Sequence, residues 1–137
     1  MAVYRTELTV KTERRVQLVD ITDDVREAVE GSGIREGIVH VYSRHTTAGV
    51  IVNEPESGLL KDVVNKLEDL VPEGAGYEHD KVDNNADAHL RAILLGSSVT
   101  LPVSDGAPVL GTWQSVLFVE LDGPRTRRVL VTVVGDE

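Results

Sequence analysis

Residues 112–134 read TWQSVLFVELDGPRTRRVLVTVV. Two apolar runs, 112–121 and 125–134, flank Asp122-Gly123-Pro124. Asp-Gly between apolar runs is a strong hairpin signal, so two strands joined by a tight turn are predicted. Pro124 has no N–H to give to a neighbour and fits the first position of an edge-like strand. Valine dominates the chain as a whole, with 23 copies against five Ile and one Phe. A β-branched excess of that kind favours strands.

Working outward, residues 97–103 form a further strand ahead of this pair. At the other end of the chain, residues 2–10 alternate: Ala2, Tyr4, Leu8 and Val10 face one way, Arg5, Glu7 and Thr9 the other. That is a half-buried strand. After Lys11–Arg14, residues 15–21 read as its hairpin partner. Thr22-Asp23-Asp24 then resembles an N-cap and acidic first turn, and the helix it opens stops at Gly31-Ser32-Gly33. Residues 37–43 and 48–53 are strands, with Arg44-His45-Thr46-Thr47 between them. Leu59, Leu60, Val63, Val64, Leu67, Leu70 and Val71 trace a helical stripe from Ser57 that Pro72 ends. Residues 72–84 are polar and aperiodic, and a last helix over 85–95 ends at Gly96.

The predicted order is β-β-α-β-β-α-α-β-β-β. Helices do not alternate with every strand, which argues against a doubly wound parallel sheet and for an α+β fold with mostly antiparallel strands. The 137 residues show no internal repeat and no linker, so one domain over 1–137 is expected.

Composition removes several function classes. There is no cysteine, hence no disulfide, thiolate zinc site or thiol nucleophile. No run approaches the ~20 apolar residues of a membrane span, and Met1–Glu7 lacks the basic-then-apolar pattern of a signal peptide. A soluble, cytoplasmic protein with no membrane partner is expected. Net charge is −9, and residues 53–90 alone hold ten acids against three bases. Such a chain repels nucleic-acid backbones, so no nucleic-acid partner is expected.

Of four histidines, His40 lies within a predicted strand and reads first as a half-buried sheet residue. His45 sits where that strand gives out, beside Thr46 and Thr47, where a rigid scaffold presents functional groups. His79 and His89 are ten residues apart across an aperiodic segment and can converge. Asp80, Asp83 and Asp87 interleave with them as oxygen ligands or as partners for imidazole; the alternative is an acidic solvated loop. Imidazole and carboxylate ligands suit Zn, Ni, Mn or Fe without choosing among them.

Gly111-Thr112-Trp113-Gln114 holds the single Trp, read first as a core or subunit-interface plug, next to an amide able to make paired hydrogen bonds. Glu54 is either a general base or a charge at the N-terminus of the following helix, and Pro55 suits a helix start. Arg125, Arg127 and Arg128 are either guards on an edge strand or an anion site. Gly31-Ser32-Gly33 is weak as a phosphate loop because it follows a helix, and no Gly-x-Ser-x-Gly is present.

Six stretches fall together in order: His45-Thr46-Thr47-Ala48, Asn53-Glu54, Tyr77-x-His79, Asp83-Asn84-x-Ala86-Asp87-Ala88-His89, Gly111-Thr112-Trp113-Gln114 and Asp122-Gly123-Pro124-Arg125. In these the chain resembles the YjbQ-like family, small proteins often labelled secondary thiamine-phosphate synthases. The resemblance implies an α+β fold with a β-sandwich, a homotrimer, and a site at or near the subunit interface. His45, His79 and His89 match the family's presumed ligands for a divalent metal, zinc first. The implied activity is weak thiamine-phosphate synthesis, which joins a pyrimidine pyrophosphate to a thiazole phosphate with loss of pyrophosphate. On that expectation Thr46, Thr47, Asn84, Gln114 and Arg125 bind the small phosphorylated substrate, while Glu54 or Asp83 orients a ligand or acts as base. The acidic 53–90 segment opposes a polyanion unless metal and arginine offset it locally. A non-enzymatic trimeric protein binding a metal or small molecule is the alternative.

Overall fold

A computed structural model describes residues 1–137. The strands are β1 (Ala2–Lys11), β2 (Gln17–Asp20), β3 (Glu36–Ser43), β4 (Ala48–Asn53), β5 (Ser98–Ser104), β6 (Ala107–Pro108), β7 (Ser115–Glu120) and β8 (Thr126–Asp136). The helices are α1 (Thr22–Ser32), α2 (Ser57–Leu70) and α3 (Ala86–Leu95), with a single 3₁₀ turn at Glu78–Lys81. The chain is therefore a single α+β domain, as the pattern predicts. The two-residue β6 and the 3₁₀ turn are additions to the predicted order.

All pairing is antiparallel, in two sheets: β1-β8-β3-β5-β6 and β2-β7-β4. Their inner faces and α1 enclose the main core, which includes Val39, Val41, Val50, Val116, Phe118, Val129, Val131 and Val133. The outer face of the three-stranded sheet packs Val119 and Leu121 against Leu67 of α2 and Ala88 and Ala92 of α3. With both faces of β7 covered, its apolar residues run without alternation.

Neither predicted hairpin forms. β1 pairs with β8 from Ala2↔Gly135 to Lys11↔Thr126, while β2 pairs with β7 in the other sheet. β7 and β8 also belong to different sheets, so Asp122–Arg125 is a crossover. A two-residue Asp-Gly hairpin turn needs positive φ at Gly, and Gly123 is not among the glycines with positive φ. It is glycine for want of room: a Cβ there would stand 2.7 Å from Glu120 Cγ and 2.9 Å from Thr12 Oγ1. The two crossovers run side by side, with the Thr12 N–H donating to Arg125 O at 2.9 Å and the Gly123 N–H to Arg15 O at 2.9 Å. Nor does Pro124, which follows a cis peptide bond, open an edge strand: β8 lies between β1 and β3.

Helix ends differ in detail from the sequence reading. Thr22 lies inside α1, and Asp20 Oδ1 accepts its N–H at 3.0 Å. At α2 the cap is Glu56 rather than Glu54: its carboxylate accepts the Gly58 and Leu59 amides, which hold it below the usual carboxylate range. Val71 closes that helix before Pro72.

The β3–β4 connection, Arg44–Thr47, is a third crossover, at the same end of the sandwich as the other two. The Leu121 N–H donates to Thr47 O at 3.2 Å, tying it to the β7–β8 crossover. Three crossovers leave a corner that no strand ladder fills, and a buried polar network occupies it.

Candidate functional site

Glu120 faces inward from β7, fully buried. Burial alone would raise its carboxyl, but the Arg127 guanidinium, the Asp122 amide and the Thr12 hydroxyl hold it below the usual carboxylate range. Arg127 Nε donates to Oε1 at 2.8 Å, Thr12 Oγ1 to Oε1 at 2.8 Å, and the Leu121 and Asp122 amides to Oε2 at 3.0 and 3.1 Å. Arg127 Nη2 also donates to Thr47 Oγ1 at 2.9 Å.

His45 hangs on the outside of this network. The Arg128 backbone N–H donates to its Nε2 at 3.0 Å. Burial lowers the His45 pKa, and the positive charge of Arg127 lowers it further. The ring is therefore neutral near pH 7. With Nε2 accepting, its hydrogen sits on Nδ1, and that N–H has no protein partner.

A cleft of about 420 Å³ opens beside it, between the Arg44–Thr47 crossover and α3, lined by Arg44, His45, Thr46, His89, Ile93, Ser97 and their neighbours. Gly49 lets α3 approach β4: a Cβ there would stand 3.0 Å from Gly96 O and 3.2 Å from Leu95 Cβ. The Val50 N–H donates to Gly96 O at 3.1 Å and the Ser43 N–H to Ser97 O at 2.8 Å, fixing the end of α3 on the sheets. His79 stands behind His89, their ring centroids 4.6 Å apart in edge contact. Arg44 and Arg128 share one exposed carboxylate, Glu7, at 2.8 and 3.6 Å.

The structure brings some expected residues together and separates others. His45, Thr46 and His89 line the cleft, with His79 adjoining. Thr47 is buried, its hydroxyl taken by Arg127. Asp83 and Asn84 are exposed on the loop and outside the cleft. Glu54 lies past the far end of β4, roughly 17 Å of strand away, beside Thr112 and Trp113 in a separate surface dent. Trp113 is 72% exposed and plugs no core. Gln114 Oε1 accepts the Gly111 N–H at 2.8 Å and closes that loop. Arg125 bonds its own turn through Asp122 O at 2.8 Å. The three arginines therefore form neither an edge guard nor a joint anion site. His40 stacks on Tyr42 as an ordinary sheet residue.

No group of three or more His, Asp or Glu side chains gathers in metal-binding geometry. Two of the three acids between the histidines have other partners: Asp80 Oδ1 accepts the Ala86 N–H at 3.0 Å as a cap for α3, and buried Asp87 pairs with Arg15 and Arg91, while Asp83 is exposed. His45 cannot present Nε2 to an ion while the Arg128 amide holds it.

The family model described as UPF0047 protein YjbQ-like matches residues 6–136. The chain belongs to the UPF0047 family of YjbQ-like proteins. A UPF0047 protein of Methanothermobacter thermautotrophicus is 56% identical over 98% of this chain and 94% of its own. YugU of Bacillus subtilis is 34% identical, over 93% and 97%. A solved structure from Sulfolobus solfataricus, described as a YbjQ-like protein of unknown function, superposes with TM-score 0.96 at 42% identity, covering 98% and 99%. One from Aeropyrum pernix gives 0.94 at 44%, over 97% and 99%. Fold and family are thereby shown for this UPF0047 chain.

Sequence reasoning passed over Arg44, Glu120 and Asn85. Glu120 left a signal, a lone carboxylate on the inward parity of a buried apolar strand. Asn85 left none that separates it from Asn84.

Proposed function

We propose that this UPF0047 protein is an enzyme acting on a small phosphorylated molecule in the cleft between Arg44–Thr47 and α3. One observation carries the reading. In a chain of net charge −9, the cleft is lined by an arginine and two histidines and by no acid. Local charge thus favours an anion where the global charge opposes one. The volume, about 420 Å³, suits a small molecule. Arg44 supplies the charge, since its exposed pairing with Glu7 is weak enough to exchange for a ligand. The Thr46 hydroxyl and the unpartnered His45 Nδ1–H supply donors.

The reaction to try first is thiamine-phosphate synthesis. The bond between the pyrimidine methylene carbon and a pyrophosphate oxygen breaks, the thiazole nitrogen bonds that carbon, and pyrophosphate leaves with the electron pair. Donors placed where that charge develops lower the barrier. A divalent ion, zinc first, belongs to the proposal through His79 and His89, whose rings already touch. His45 would complete the set only if it gave up the Arg128 amide, its Nδ1–H unchanged. A bound ion would offset charge on the leaving group.

We extend the proposal to a homotrimer. Ile93 and Leu94 of α3 are 75% and 64% exposed, and Ile93 lines the cleft itself. An apolar face of this kind marks an interaction surface. The test follows pyrophosphate release from the two phosphorylated precursors, with the mass in solution measured alongside. Release that depends on added divalent ion and stops on chelation, at three times the 14.9 kDa chain mass throughout, is expected. Absence of release at any ion concentration would overturn the enzyme reading in favour of a non-enzymatic binding protein.

A further inference from the structure

We infer that Asn85 and Asp122 are positioning residues for His79, holding it in the tautomer opposite to that of His45. The inference concerns the site proposed above but stands on hydrogen bonds that exist without substrate.

Asn85 is buried at the start of α3. An amide side chain has two distinguishable ends, and its partners decide which end points where. Asn85 Nδ2 lies 2.9 Å from Asp122 Oδ2. An ionised carboxylate only accepts, so the amide nitrogen must face it. The other end, Oδ1, then faces His79 Nε2 at 2.9 Å. A carbonyl oxygen only accepts, so Nε2 carries the hydrogen. In neutral His79, Nδ1 is thus the free lone pair.

Asp122 is itself held in place. Its Oδ2 accepts Arg125 Nη2 at 3.3 Å, and its Oδ1 lies 3.7 Å from Arg15 Nε. These contacts hold the accepting oxygen in place against Asn85 Nδ2, and so keep the amide from turning over. A partner of this kind fixes an imidazole's tautomer and orientation, as carboxylates do behind metal-ligating or catalytic histidines.

His45 is set the other way. The Arg128 amide can only donate, so His45 is the Nδ1–H form, whereas a free histidine side chain in water favours Nε2–H. The site therefore offers an N–H donor on His45 and a lone pair on His79, with neither ring free to exchange roles. A ligand recognised by both must bring one acceptor and one donor, or an ion at the His79 end.

Long-range ¹H–¹⁵N spectra of the imidazole nitrogens at pH 8, on uniformly ¹⁵N-labelled protein, test this. In wild type, His45 should show a protonated Nδ1, and His79 a protonated Nε2 with a slowly exchanging hydrogen. Asn85→Ala should abolish that slow hydrogen and bring the two His79 nitrogen shifts toward averaging, with His45 unchanged as the folding control. Asp122→Asn should retain the His79 pattern, because the new amide oxygen can still accept from Asn85 Nδ2. Where turnover is present, Asn85→Ala should lower it about 10–100-fold. An Nδ1–H form of His79 in wild type, or an unaltered His79 pattern in Asn85→Ala, overturns the inference. Failure of the enzyme reading would appear as missing turnover with both tautomer patterns intact.

Discussion

Arg127→Met is expected to cost about 3–5 kcal/mol of folding stability, the penalty for stranding a buried carboxylate without its counter-ion. Glu120 is wholly enclosed and Arg127 nearly so, and the pair closes the corner where three crossovers meet. Removing the guanidinium also leaves Thr47 and the end of β7 without their shared partner. Urea unfolding at pH 7 measures the loss as a lower midpoint. The double variant Arg127→Met/Glu120→Gln should recover a large part of it, because no charge is then left unpaired. A single-variant loss below about 1 kcal/mol, the range of exposed ion pairs, would contradict this account of the corner.

The same pair sets the response to acid. The folded Glu120 carboxyl titrates below its unfolded counterpart. Its contribution is therefore fully present above the ordinary carboxylate range and is lost as pH falls through the folded value. Asp87 adds to this: burial would raise it, but the Arg15 hydrogen bonds and the charges of Arg15 and Arg91 hold it low. Wild type should lose stability progressively below about pH 4–5, and Arg127→Met less steeply.

The second large effect concerns turnover. His45→Ala should lower kcat about 10²–10³-fold, the usual cost of removing one donor aimed at developing charge. KM should change little if the donor acts mainly on the leaving group, since an interaction made in the transition state appears in kcat. The fold should survive, because His45 is only half-buried and the Arg128 amide it releases lies at an exposed residue. His45→Gln, with an amide that can donate, should retain part of the rate. Equal rates in wild type and His45→Ala would remove this ring from the chemistry.

Much of the fold was legible in the sequence because burial leaves a period. The alternation of Ala2 to Val10 is the burial pattern of β1, and the stripe from Leu59 to Leu70 is α2 with Pro72 beyond it. Pairing was less legible. Asp122-Gly123 reads as a hairpin by local chemistry, yet each flanking strand has a better partner elsewhere, β8 with β1 and β3, β7 with β2 and β4. A local turn preference is outweighed by ladders up to ten residues long. In the site, His45, Thr46 and His89 stood out because chain punctuation placed them at element ends. Asn85 did not, because its role comes from a contact across 37 positions of sequence, to Asp122, and Arg127 read as a surface charge because the enclosure that pairs it with Glu120 and Thr47 is made by the crossovers.

The central claim is that the acid-free cleft binds a phosphorylated group. Titration of inorganic pyrophosphate into ¹⁵N-labelled protein, followed residue by residue, tests it most directly. Saturable shifts at the Arg128 amide, at Thr46 and at the His45 and His89 rings are predicted, abolished in Arg44→Ala. No shifts at millimolar pyrophosphate, or shifts confined to the separate groove between β2 and α2 that Arg14 and Lys61 line, would contradict it.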